Sequence, residues 1–250
     1  GSEMKALIPT LIAILLWFAD TAFAAEIRVA AASNFRDALT ELSEQFEHES
    51  ANTITQIYGS SGKQFAQISN GAPFDVFLSA DAERPRRLET EGLAVSGTRV
   101  TYALGRLALW SMDPGMVDRN GQVLRSDRFR HIALANPELA PYGIAAQQSL
   151  QALGVWDSME KRRVLGENVG QAFQFVRTGN AELGLVAWSQ LVAHNRLDAG
   201  SHWLVPRSLH HPIEQQAVLI SDTHAAREFI AYLQSDQART IIRAHGYETP

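Results

Sequence analysis

A chain of 250 residues with 46% hydrophobic and 20% charged side chains has enough material for a sizeable core in one large or two small domains. Its net charge of −5, with no basic block and no aromatic-basic interleaving, argues against a nucleic-acid partner. The absence of cysteine excludes disulfides, cysteine metal sites, a thiol nucleophile and a lipid carried on cysteine.

Near the start, Lys5 precedes the apolar run "ALIPTLIAILLWF", and Ala22-Phe23-Ala24 has the small-x-small form of a signal-peptidase site. Pro9 interrupts the run, which falls short of the roughly 20 residues a spanning helix needs, so export is expected rather than a membrane anchor. Residues 1–24 are read as a cloning remnant, Gly1-Ser2-Glu3, and a cleavable signal peptide, with a mature periplasmic chain from about Ala25.

From Glu26 the segment "EIRVAAAS" alternates as a strand does, and "NFRDALTELSEQFEHES" places Phe35, Ala38, Leu39, Leu42 and Phe46 at helical spacing. Ser33 stands at the joint as the expected N-cap. The unit repeats: "TITQIYGS" is strand-like, and Ser61 opens a helix with Phe65, Ala66 and Ile68 on one face and Gly71 as its stop. "FDVFLSAD" reads as a third strand and "AERPRRLETEG" as the helix after it. "RVTYALGRLALWSM" is a long strand candidate broken at Gly105, "HIALANP" is another strand, and "GIAAQQSLQALG" and "VGQAFQFVRTG" are helices. "LGLVAWSQL" reads as a strand running into a turn, "PIEQQAVLI" as a strand, and "AAREFIAYLQSDQARTIIRAHG" as one or two closing helices. Such alternation predicts an α/β fold with mostly parallel sheets.

The chemistry concentrates at strand-to-helix joints. Helix starts leave backbone N–H groups unpaired and carry partial positive charge, so they suit anions. Gly59-Ser60-Ser61-Gly62 adds hydroxyl donors and close backbone approach at one joint, although plain capping would use the same residues. The lysine at 63 does not make a P-loop, because the spacing is short and Gln64 follows it; a solvent-facing Lys63 is expected. No Gly-x-Ser-x-Gly elbow and no His-Glu-x-x-His is present; His210-His211 is expected to be a surface pair, and Trp156, Trp188 and Trp203 to be core rather than a ligand cage.

The blocks "AAASNFRDAL", "YGSSGKQFAQI", "GAPFDVFLSAD", "LANPELAPYG", "GENVGQAFQFVRTGNAELGLVAWSQ" and "REFIAYLQSDQARTIIRAHGY" resemble, in order, the periplasmic molybdate-binding proteins of bacterial ABC transporters, over about 27–247. The resemblance implies a two-lobed, class II periplasmic-binding-protein fold: two mixed sheets flanked by helices, with a ligand cleft between the lobes. Lobe 1 would combine 25–104 with 207–250, and lobe 2 would be 105–206. It further implies a monomeric, non-enzymatic receptor without cofactor, which delivers molybdate, and tungstate equally, to an inner-membrane ABC permease. Carried over by motif, Ser33 and Ser61 would supply hydroxyls and N–H groups, and Tyr142 and Val169 backbone N–H groups, with Asn34, Ser60, Gly62 and Ala187 as neighbours. Molybdenum would enter only as the bound oxyanion, without direct protein ligands. Ala187 departs from the pattern, standing where some relatives carry a tyrosine hydroxyl.

A site made of donors suits an oxyanion without a proton at neutral pH, since a P–OH group needs an acceptor. Sulfate would be rejected by size alone, as a smaller tetrahedron cannot satisfy every donor of a fixed cage. Asp75 or Asp81 would weaken that argument if either reached the cleft; a structural role is expected for Asp75. Three other readings stay open: a receptor for another oxyanion or a small organic acid, a secreted serine hydrolase using Ser33 or Ser61, and a purely structural exported protein.

Overall fold

The computed structural model describes residues 23–250; the remnant and signal-peptide readings lie outside the described residues, apart from Phe23 and Ala24. The chain opens with β1 (Glu26–Ala32), α1 (Arg36–Glu49), β2 (Thr53–Gly59), α2 (Ser61–Ser69), β3 (Val76–Leu78), α3 (Glu83–Thr90) and β4 (Val100–Gly105). It continues with β5 (Leu107–Ser111), β6 (Ile132–Ala135), α4 (Pro141–Ala152), β7 (Arg163–Gly166), α5 (Val169–Arg177), β8 (Leu183–Ala187), α6 (Trp188–Ala193) and β9 (Ser201–Leu204). Last come β10 (Ile213–Leu219), α7 (His224–Leu233) and α8 (Asp236–Ala244).

Two five-stranded sheets result, in the orders β2-β1-β3-β10-β4 and β7-β6-β8-β5-β9. Both are mixed rather than mostly parallel. In the first, β1 runs parallel to β2 and β3 while β10 is antiparallel to β3 and β4. In the second, β6 is parallel to β7 and β8, and β5 is antiparallel to β8 and β9. The chain returns from the second lobe to insert β10 between β3 and β4, entering at the end where those strands finish, so it runs antiparallel to both. Only Arg106 separates β4 from β5, so the expected break at Gly105 is where the chain passes from one sheet to the other.

Side-chain alternation then makes each sheet the centre of a three-layer sandwich. On β1, Ile27, Val29 and Ala31 join Phe35, Leu39, Leu42 and Phe229 on one face, and Ala30 joins Ile68, Phe77 and Leu88 on the other. On β5, Leu107 and Leu109 pack with Leu134 and Leu150, and Trp110 stacks on Phe173 at a centroid distance of 4.7 Å. Burying each Val, Leu, Ile or Phe side chain of these clusters contributes about 1.5–3 kcal/mol.

Local expectations were corrected at several joints. Ser33 does not cap α1: it opens a 3-10 turn, Ser33–Phe35, and the cap position of α1 is Phe35. Ser61 opens α2 as expected, and Ser60 caps it, its hydroxyl accepting the Lys63 N–H at 3.2 Å. Ala66 is exposed on α2, while Gln64 is buried and donates to the carbonyls of Ala31 and Ile57, tying the helix to two strand ends. The segment after β8 is a helix, α6, not a turn, and its start is tied back when Gln190 accepts the Ala187 N–H at 3.0 Å. Trp156, Trp188 and Trp203 each pack, partly buried, against a core cluster.

Candidate anion site

The parallel strands β1, β2, β6 and β7 end at Ala32, Gly59, Ala135 and Gly166, and each leads into a helix or helical turn at the boundary between the lobes. Open α/β sheets bind ligands beyond such carboxyl ends. There the starts of the Ser33–Phe35 turn, α2, α4 and α5 line a small cavity between the lobes. Its lining is Ala32, Ser33, Asn34, Gly59, Ser60, Ser61, Ala80, Ala140, Pro141, Tyr142, Asn168 and Val169, without a single charged side chain.

Each wall offers donors. Ser61 is fully buried and its hydroxyl accepts the Ala80 N–H at 2.9 Å; the Ser33 hydroxyl accepts the Gly170 N–H, from the other lobe, at 3.2 Å. A hydroxyl whose lone pair is engaged this way still has its hydrogen to give. The N–H groups of Ser61, Tyr142 and Val169 lie in the first turns of α2, α4 and α5, where no intrahelical acceptor exists, and none has a backbone acceptor among the described residues. Pro141 at the first position of α4 presets that turn, and Asn168 caps α5 by accepting the Gln171 N–H at 3.0 Å. Asn168, Ala140 and Pro141 were not singled out from the sequence; an N-cap pattern at "ENVGQ" and a proline at a helix start were the available signals.

The predicted residues Ser33, Ser61, Tyr142 and Val169 thus meet at one cavity, with Asn34 and Ser60 beside them. Gly62 and Ala187 do not line it. Gly62 instead donates its N–H to the Leu139 carbonyl of the opposite lobe at 2.8 Å, and Ala187 is buried at the end of β8. Lys63 does not simply face solvent: its ammonium meets the Glu167 carboxylate across the cleft at 2.7 Å. Asp75 accepts the Arg28 N–H at 2.7 Å and Asp81 pairs with Arg84, so both carboxylates have structural partners. His194 faces Asp37 across the cleft at 3.5 Å rather than either serine. Among the described residues no group of three or more His, Asp or Glu side chains could hold a metal ion.

Behind the cavity runs a buried polar network. Gln215 donates to the Tyr142 hydroxyl at 3.0 Å and accepts from the Asn34 carboxamide at 2.8 Å, while Asn34 also donates to the Tyr247 hydroxyl at 2.8 Å. Burial pushes the phenols of Tyr102, Tyr142 and Tyr247 well above their ordinary value, so these groups stay neutral donors and acceptors.

Residues 27–248 match the family of bacterial extracellular solute-binding proteins. The chain belongs to this family. Among its relatives, the molybdate-binding protein ModA of Azotobacter vinelandii is 45% identical over 232 residues, 92% of each chain. ModA of Rhodobacter capsulatus is 43% identical over 243 residues, 96% of this chain and 95% of that one. The solved structure of the Azotobacter vinelandii periplasmic molybdate-binding protein superposes with a TM-score of 0.87 at 41% identity, covering 90% of this chain and 99% of that one. The two-lobed binding-protein fold expected for this solute-binding protein is therefore the fold it has.

Proposed function

We propose that this solute-binding protein captures molybdate, and tungstate with it, in the interlobe cavity and delivers it to an inner-membrane ABC permease. The observation that carries the reading is a small interlobe cavity, lined by hydroxyls and helix-start N–H groups of both lobes, with no charged side chain in its wall. Fully ionised tetrahedral oxyanions are what such a donor set satisfies: fixed dipoles supply the positive potential, and no acceptor is needed for a proton. Ser33 and Ser61 donate through hydroxyl and amide, Tyr142 and Val169 through amides. The relatives named above carry molybdate binding in their names, which supports the ligand.

The lobes are 25–104 with 207–250, and 105–206, and their closure over the anion is the functional motion. Binding rather than catalysis is the output, because neither serine has a histidine partner to activate it. The protein works as an exported periplasmic monomer.

Thermal unfolding in molybdate, tungstate, sulfate and phosphate against chloride tests this. A ligand at about 100 times its Kd adds roughly 2.7 kcal/mol, a shift of several degrees for a chain of this size. Stabilisation by molybdate and tungstate alone is the expected result; an equal shift with phosphate, or none with any oxyanion, would overturn the reading.

A further inference from the structure

We propose that Gln215 is a selectivity-determining positioning residue: by joining the side chains of Tyr142 and Asn34 behind the cavity, it fixes the span between the donors of the two lobes. The inference rests on the oxyanion reading above and concerns what sets the cage's dimensions.

Gln215 is fully buried in β10, at a register shift between Gln215 and Gln216 against β4. An uncompensated glutamine there would be costly, yet both ends of its carboxamide are used. Its nitrogen donates to the Tyr142 hydroxyl at 3.0 Å, and its oxygen accepts from Asn34 at 2.8 Å and lies 3.4 Å from the Tyr102 hydroxyl. Tyr142 belongs to α4 of one lobe and Asn34 to the turn after β1 of the other, and both residues line the cavity. The carboxamide is therefore a strut between opposite walls, set behind the anion. A second strut lies alongside, where Ser189 of α6 donates to the Tyr247 hydroxyl at 3.0 Å and Tyr247 donates to the Asn34 carbonyl at 2.8 Å. The crossing strand leaves room for the first strut by being glycine: a Cβ on Gly105 would fall against the Tyr142 hydroxyl and lie 2.6 Å from the Gln215 nitrogen.

The rim cannot do this job. Lys63 and Glu167 are about half exposed, at 53% and 43%, and a solvated ion pair tolerates shifts that a dry, hydrogen-bonded carboxamide does not. Discrimination by size requires the donors to hold their separation against the collapse that a smaller tetrahedron would invite. The buried strut resists that collapse.

The test is titration of the mature chain and its Gln215→Met variant with sodium molybdate and, by displacement, sodium sulfate. Methionine keeps the volume and removes the carboxamide's hydrogen bonds to Tyr142, Asn34 and Tyr102. The expected result is a fall of about tenfold in the molybdate-to-sulfate affinity ratio, the equivalent of one lost hydrogen bond to a positioned donor. Tyr142→Phe, which deletes one hydroxyl and leaves the backbone amide, should shift the ratio in the same direction by less, and stands in if Gln215→Met does not fold. Equal weakening of both anions, or an unchanged ratio, would overturn the strut. Failure of the unaltered protein to bind molybdate would instead overturn the oxyanion reading beneath it.

Discussion

The two walls of the cavity use different chemistry. The first lobe brings side chains, Ser33 and Ser61, whose hydroxyls are held by backbone N–H groups of Gly170 and Ala80. The second lobe brings backbone, the N–H groups at the starts of α4 and α5, where the side chains of Tyr142 and Val169 serve packing and bracing. One wall is thus sensitive to which residue stands there, and the other to where a helix starts.

The largest effect expected is on closure itself, which both walls share. A Cβ on Gly62 would lie 2.7 Å from the Leu139 carbonyl of the opposite lobe. Gly62→Ala should lower molybdate affinity by about a hundredfold or more while leaving the stability of the ligand-free protein unchanged or raised, since alanine favours the helix by roughly 0.5–1 kcal/mol. Calorimetric titration beside thermal unfolding reads both. Next comes the side-chain wall: Ser61→Ala should weaken binding about tenfold to a hundredfold, as a hydrogen bond to a charged group contributes roughly 1.5–3 kcal/mol. An unchanged Kd would remove Ser61 from the site.

Breaking the rim should do less. Glu167→Gln neutralises a half-exposed ion pair, and affinity should fall by no more than about threefold, with the difference vanishing in high salt. The smallest change in affinity belongs to the backbone wall. Val169→Ala keeps its amide, so the Kd should stay within about twofold even though loss of buried methyl groups lowers stability by about 1 kcal/mol. Comparable affinity losses for Val169→Ala and Ser61→Ala would erase the distinction between the walls.

What the chain discloses about itself follows the range of the interactions. The helix over Arg36–Glu49 was legible because Ala38, Leu39, Leu42 and Phe46 repeat at helical spacing and all become buried. The strand-to-helix joints were legible as anion-binding places for the same local reason. The short strands β7 and β9 were not foreseen, since four residues with a half-buried pattern carry too little periodicity. Ser33 looked like a cap and proved to reach Gly170, 137 positions away, and Gln215 was not singled out within the strand segment "PIEQQAVLI". Contacts across the cleft leave no local pattern, so Ser33, Ser61, Tyr142 and Val169 could be named through the family resemblance while the bracing behind them could not.

The central claim is that molybdate sits among neutral donors at four helix starts. Diffraction from crystals of the molybdate complex, with data collected on both sides of the molybdenum absorption edge, tests it most directly. The account predicts one strong anomalous peak in the cavity between Ser33, Ser61, Tyr142 and Val169, with hydroxyl and amide hydrogen bonds to its oxygens and no lysine or arginine contact. A peak against the Lys63 or Arg36 side chain, or none between the lobes, would contradict it.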